Sequence, residues 1–234
     1  MYAWRQVCSP LSVDLNGIEE VSQYPEIGLP IENLRASFER EIGRGRVVVS
    51  APTGSGKSSQ IPRWCARSGW VLVVEPRRVA CRGLARWVAE LERTELGNGV
   101  GYVVRDDRCA KDDSEIVFAT PGVVLKMLEG GDLEEYATVV LDEFHERSLD
   151  VDLLLALLLN RFKGRLVVMS ATLAGDRVAR HIGGKHLKGE GRAFPVEVKY
   201  IPGRLNAPDI RGVEDRLGEA LALARYKEGD ILVF

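Results

Sequence analysis

Two short strings, each directly after an apolar β-branched run, constrain this chain more than any other feature. Ala51-Pro-Thr53-Gly54-Ser55-Gly56-Lys57-Ser58 follows Arg46-Val-Val-Val-Ser50, and Asp142-Glu143-Phe-His145-Glu-Arg147 follows Thr138-Val-Val-Leu141. A short, continuous β-branched run reads as a strand buried on both faces. Strand, glycine-rich turn and helix is the context that separates a phosphate-binding loop from an ordinary Gly/Ser turn. Such a turn brings backbone N–H groups close to phosphate oxygens, with Thr53, Gly54, Ser55, Gly56, Lys57, Ser58 and Ser59 as the nucleotide-binding candidates. The lysine neutralises phosphate, and the Ser58 hydroxyl is a Mg²⁺ ligand. Asp142 and Glu143 are, with Ser58, the Mg²⁺-ligand candidates, Asp142 holding the metal directly or through water, and Glu143 would also orient and deprotonate the attacking water. An acidic pair on a surface is ordinarily solvated charge, but here it sits at a strand end.

Composition sets the setting. The chain has 234 residues, 45% of them hydrophobic, and a net charge of −2. It can bury a substantial core as one domain or two, but no global basic field draws it to nucleic acid, so any such contact must use local clusters. Arginine outnumbers lysine 24 to 8, which suits bidentate phosphate contacts, although a GC-rich genome explains most of that bias. Cys8, Cys65, Cys81 and Cys109 are far apart, and His145, His181 and His186 form no ligand pattern with them, so neither a zinc site nor a disulfide frame is expected. The N-terminus lacks the pattern of a signal peptide. The apolar stretch Val151–Leu159 is too short to span a bilayer, so a soluble protein in a reducing cytoplasm is expected.

Residues 1 to about 30 read as an irregular lead-in punctuated by Pro10, Pro25 and Pro30, and a helix is expected over 34–42. Strands are then expected at 46–50, 70–74, 100–104, 115–119, 138–142 and 166–170. Helices are expected near 57–67, 77–96, 121–129, 149–161 and 175–182. The alternation predicts an α/β fold with a doubly wound, mostly parallel sheet. Ligands of such sheets sit outside the carboxyl ends of the strands. Five of those ends carry phosphate-binding, acidic or hydroxyl residues: the loop at 51–58, Glu75-Pro-Arg77-Arg78, Thr120-Pro-Gly122, Asp142-Glu143 and Ser170-Ala-Thr172. That edge is longer than a nucleotide needs, which predicts a second, extended and anionic ligand. Past Pro195, a half-exposed strand at 196–200, a helix at 213–227 and a new buried strand at 229–234 are expected. The chain stops inside that strand, so it is expected to be a fragment.

The order of these motifs resembles superfamily 2 helicases of the DEAH/RHA group, from about Gly43 to Phe234. The resemblance is carried by 51–58, Pro-Arg-Arg-Val-Ala (76–80), Val-Gly-Tyr-Val-Val-Arg (100–105), Asp-Glu-Phe-His-Glu-Arg-Ser (142–148), Ser-Ala-Thr-Leu (170–173) and Gly-Asp-Ile-Leu-Val-Phe (229–234). Leu141–Asp150 and Glu190–Lys199 look most like the bacterial HrpB type, in which Phe144 commonly replaces the alanine of the DEAH box. Ala51, where the general loop pattern has glycine, is common in helicase-type loops.

The resemblance implies a lead-in over 1–30, a RecA-like P-loop ATP-binding domain over 31–195, and a linker with the truncated start of a second RecA-like domain over 196–234. It implies ATP or another NTP with Mg²⁺, and single-stranded nucleic acid, RNA by expectation, as partner of a monomeric motor. By resemblance Glu143, Lys57 and His145 are catalytic, His145 reaching toward the second domain, and Ser170 and Thr172 link nucleotide state to domain closure. Arg86 aligns with an arginine that stacks on the base, the alternative being an exposed helix arginine. Arg77, Arg78, Arg105 and Thr120 match positions gripping the nucleic-acid backbone, the alternative for Arg77 and Arg78 being salt bridges to nearby glutamates. Thr120-Pro-Gly is closer to the DEAD-box form than to the group's usual Thr-Asp-Gly. No adenine-reading glutamine precedes the loop in Gly28–Ser37. The arginine fingers of a second domain would lie beyond Phe234, so slow turnover by the chain alone is expected. An ATP-switched RNA-binding adaptor is the competing reading. A P-loop kinase or transporter ATPase is disfavoured by Ser170-Ala-Thr172 and Arg77-Arg78.

Overall fold

The β-branched runs pair into one eight-stranded sheet in the computed structural model, which describes residues 28–171, 175–190 and positions 217, 218, 221 and 222. The strands are β1 (Arg46–Ser50), β2 (Val71–Val74), β3 (Val100–Val104), β4 (Asp107–Cys109), β5 (Ile116–Ala119), β6 (Thr138–Leu141), β7 (Arg165–Ser170) and β8 (Lys185–Lys188). Their order is β4-β3-β5-β2-β6-β7-β1-β8, and every pairing is parallel except β3 with β4. The helices between them are α1 (Arg35–Ile42), α2 (Lys57–Ala66), α3 (Arg78–Leu91), α4 (Pro121–Gly130), α5 (Leu149–Arg161) and α6 (Gly175–Ile182).

Side chains alternate across the sheet with period two, and each set has its own helical layer. Val47, Val49, Val71, Val73, Phe118, Val140, Val167 and Met169 pack with Phe38 of α1, Ile61 and Trp64 of α2, and Ala85 and Val88 of α3. Val48, Leu72, Val74, Val117, Val139, Leu141 and Val168 pack with Val124 of α4, Leu154 and Leu158 of α5, and Ile182 of α6. Burial on both faces is why these strands are continuous apolar runs. Each fully buried valine or leucine contributes about 1.5–3 kcal/mol to holding the sandwich together.

Two expectations needed correction. Strands β4 and β8 were absent from the sequence reading because they are short, edge-located and charged; Asp107–Cys109 and Lys185–Lys188 carry no apolar run. Helix α3 stops at Leu91 and not near 96. Arg93 takes a left-handed backbone (φ 54°), and Arg93 N and Thr94 N donate to Glu90 O and Ala89 O, a Schellman closure without the usual glycine. The chain divides into units Met1–Arg192 and Ala193–Phe234. The strands expected at 196–200 and 229–234 lie outside the described residues, as does most of the helix expected at 213–227, of which 217, 218, 221 and 222 are helical. No helix among the described residues is long and apolar enough to cross a membrane.

Candidate functional site

The strand order sorts the sequence candidates along one edge. At the carboxyl ends of neighbouring strands lie Arg105 after β3, Thr120 after β5, Glu75 and Arg77 after β2, Asp142 and Glu143 after β6, Ser170 ending β7, and the glycine-rich loop after β1. From β3 to β1 there are five strand spacings, about 24 Å at 4.8 Å each. The phosphate-loop and acidic residues occupy the β6-β7-β1 half. The candidate nucleic-acid residues occupy the β3-β5-β2 half.

The loop's shape comes from its glycines. Gly54 (φ 78°) and Gly56 (φ 94°) are left-handed, and a Cβ on Gly56 would sit 2.6 Å from Leu29 Cδ1. Ser55 N donates to Pro52 O at 3.2 Å, closing the turn, and Ile31 N donates to Ser55 O at 3.1 Å, tying it to the preceding segment. The amides of Gly54, Gly56, Lys57 and Ser58 have no acceptor among the described residues. Unpaired donors at the start of a helix form an anion site. Ser59 is buried and its hydroxyl donates to Gly56 O at 3.1 Å, so it braces the turn from beneath. Thr53 is exposed and the Ser55 hydroxyl is buried without a hydrogen bond among the described residues.

The acidic half meets the loop directly. Lys57, only 3% exposed, reaches Glu143 with Nζ to Oε1 at 3.1 Å. Glu143 has a left-handed backbone (φ 45°) and opens a single helical turn, Phe144–Glu146. His145 Nδ1 lies 3.2 Å from Glu143 Oε2 and 3.4 Å from Ala171 N. The Ala171 amide is placed to donate to this nitrogen, which lies between it and the Glu143 carboxylate. Asp142 is buried; its Oδ1 accepts from Glu143 N at 2.8 Å, while Oδ2 has no hydrogen-bond partner among the described residues. Burial pushes its carboxyl up to about 6, helped by the Glu143 charge and opposed by the Ser58 hydroxyl and Lys57. A buried carboxylate oxygen without a donor beside a serine hydroxyl is a hard-oxygen pair suited to Mg²⁺. The Asp142–Ser58 pair therefore fits a nucleotide-bound divalent cation.

Other residues fall differently. Arg78 is exposed at the start of α3, and Arg105 is exposed in the β3–β4 turn, 3.6 Å from Asp106. Thr120 caps α4 through its carbonyl, leaving its hydroxyl uncommitted to the cap, and Pro121 occupies the first helical position, where a missing N–H costs nothing. Arg77 is not free: its guanidinium forks onto Glu146, the arrangement expected under the salt-bridge alternative. Arg86 lies on α3 about 12 Å along the helix from Arg78, at 1.5 Å per residue. It is exposed and without polar contact among the described residues. Ser170 is buried and its carbonyl accepts from Ala51 N at 3.2 Å, and Thr172 lies outside the described residues.

Sequence reasoning gave no role to three residues that the structure brings to this edge or its supports. Glu75 is buried where β2 meets β6, and burial together with Asp142, Glu143 and Glu146 pushes its carboxyl up to about 8. Its signal was an acid ending an apolar strand. Glu146 carried no signal beyond its place in the acidic string. Third, His186 bridges Asp176 (Nδ1 to Oδ1, 2.6 Å) and Ser50 (Nε2 to Oγ, 2.9 Å), fixing the loop's entry to α6. That triad-like order is not a nucleophile's, because Gly175 packs over it: a Cβ there would sit 2.5 Å from Ser50 Oγ, leaving no room for a carbonyl carbon.

The chain is similar to a family of known proteins. Residues 35–181 match the DEAD/DEAH box helicase family. The chain is 37% identical over 201 residues to the ATP-dependent RNA helicase HrpB of Escherichia coli K12, covering 81% of this chain and 24% of that protein. It is 33% identical over 228 residues to the ATP-dependent RNA helicase HrpA of the same organism, covering 90% and 17%. The crystal structure of the E. coli DEAH/RHA helicase HrpB superposes with a TM-score of 0.74 at 34% identity, over 83% of this chain and 26% of that one. The chain thus spans about a quarter or less of the length of these relatives.

Proposed function

We propose, because the chain belongs to the DEAD/DEAH box helicase family, that it is the nucleotide-binding part of a motor that hydrolyses ATP or another nucleoside triphosphate while holding a single strand of RNA. The observation that carries this reading is the meeting of Lys57 and Glu143 at 3.1 Å beside the unpaired Asp142 oxygen and the open amides of the loop. Loop amides and Lys57 take the phosphates, which draws Lys57 off Glu143. Glu143 then accepts a proton from the attacking water, and His145 passes the change toward Ala171. Mg²⁺, held by Ser58 and Asp142, would offset charge on the phosphates. Arg78, Arg105 and Thr120 give a sequence-blind set of contacts for the strand's backbone along the other half of the edge.

In this reading 31–195 form the first RecA-like domain, and 196–234 form the linker and the start of a second that supplies further catalytic groups. The motor works as a monomer in the cytoplasm. The test is nucleotide hydrolysis by the full-length protein with and without single-stranded RNA or DNA. Stimulation by RNA is expected. Hydrolysis that neither nucleic acid alters would overturn the motor reading and leave an ATP-switched adaptor.

A further inference from the structure

The ion pair between Arg77 and Glu146 stands where the two halves of the sheet edge meet, β2 lying next to β6. It is forked, with Nη2 2.5 Å from Oε1 and Nε 3.2 Å from Oε2. Glu146 ends the turn that Glu143 begins, and its amide donates to Glu143 O at 2.9 Å. Glu143 holds a left-handed backbone rare for a side chain other than glycine, and such a conformation persists only where its surroundings pin it. Two cations pin this turn from opposite sides, Lys57 on the Glu143 carboxylate and Arg77 on Glu146. Each is also the group an anionic ligand would claim: a triphosphate takes Lys57, and a backbone phosphate takes Arg77.

We propose that Glu146 is a positioning residue that couples the two ligands: by holding Arg77 it keeps the 143–146 turn pinned, and a nucleic-acid phosphate that captures Arg77 releases it. The inference rests on the reading that a nucleic-acid strand runs along the β3-β5-β2 half. The exchange is favourable on two grounds. The Arg77 side chain is 71% exposed and an exposed pair is weak, whereas a phosphodiester chain adds counterion release. Once Arg77 is captured, the phosphate's own charge pushes the Glu146 carboxylate away from it. With both tethers gone, Glu143 is free to turn to water, so hydrolysis is fast only when nucleotide and strand are both bound.

The experiment compares the full-length parent with Glu146→Gln, Arg77→Ala and the double variant, measuring ATP hydrolysis with and without a single-stranded oligouridylate, and binding of that oligonucleotide without nucleotide. Cutting the tether from either side should raise the strand-free hydrolysis rate and shrink the stimulation ratio. The double variant should rise no further than the singles, since one contact is lost once. Binding separates the two single variants: Glu146→Gln should bind up to about fivefold tighter, whereas Arg77→Ala should bind more weakly. A merely structural role for Glu146 would not move the two readouts in these opposite pairings. Strand-free rates at or below the parent's in both single variants overturn the inference alone, provided the parent binds the oligonucleotide and is stimulated by it. A parent that neither binds it nor responds to it removes the underlying reading as well.

Discussion

Replacing Glu143 by glutamine should tighten nucleotide binding while abolishing turnover. In the structure the Lys57 ammonium is 3% exposed and its contact is Glu143, whose side chain is 22% exposed. Exposed pairs contribute about 0–1 kcal/mol, and stripping one partner from a buried pair costs about 3–5 kcal/mol. This pair has one end buried and one near solvent, and glutamine still offers Lys57 an oxygen, so the loss is about 1–2 kcal/mol of the nucleotide-free protein's stability. With nucleotide bound, phosphate neutralises Lys57 and the penalty vanishes. Around the cycle the same energy reappears as affinity, roughly 5- to 30-fold tighter binding. Chemical unfolding with and without nucleotide, and titration with a fluorescent nucleotide, measure both sides of the cycle in the full-length protein. If Glu143→Gln binds nucleotide no tighter than the parent and unfolds at the same midpoint without it, the pair is not a restraint that nucleotide must break. If it hydrolyses at the parent rate, Glu143 is not the base.

The other expectations are shorter. Gly175→Ala puts a Cβ 2.1 Å from His186 Nε2 and should cost about 2–3 kcal/mol by overpacking and loss of the Ser50 bond. His186→Ala in that background should then cost less than in the parent, as read from denaturant midpoints; additive costs would mean that the two do not collide. Glu75, held up at about 8 against its ordinary 4.5, is protonated in the folded and ionised in the unfolded chain between those values. Its contribution is therefore complete below pH 4.5 and falls as pH rises through 8. Glu75→Gln should flatten that decline and exceed the parent's stability above pH 8 in urea unfolding; a parallel pH profile would place the shift elsewhere. Arg78→Ala should weaken binding of every single-stranded sequence alike and reduce the log–log salt slope by about 0.7, an unchanged slope removing it from the strand's path.

What was readable in the sequence followed from burial on both faces. Val47–Ser50, Val71–Val74, Ile116–Ala119, Thr138–Leu141 and Leu166–Ser170 are apolar because helices cover both sides, so their ends, and hence the loop and acidic pair, were placed correctly. Edge strands β4 and β8 need no such run and were missed. Pairings across distant strands were also invisible: Arg77 with Glu146, and Ser50 with His186, are separated by 69 and 136 residues and depend on strand order, which periodicity does not reveal. The partner of Arg77, Glu146, follows only from β2 and β6 being neighbours.

Strand order also sets the acidic turn between the two proposed ligand positions. The crossover from β1 through α2 to β2 leaves two positions between those strands, and β6 and β7 fill them. With β6 inserted there, its acidic end lies one strand spacing from Arg77 and two from the phosphate loop, about 5 and 10 Å. An arginine side chain spans the first gap, and Lys57, projecting from the start of α2, spans the second. Had β2 paired directly with β1, the arginine and the lysine would have been neighbours on the same side of the acids, repelling each other and sharing one anion. Placing the acids between them gives each cation a resting partner in the absence of its ligand. In the proposed reading each partner is surrendered when its ligand binds, and two independent binding events become a shared condition on Glu143.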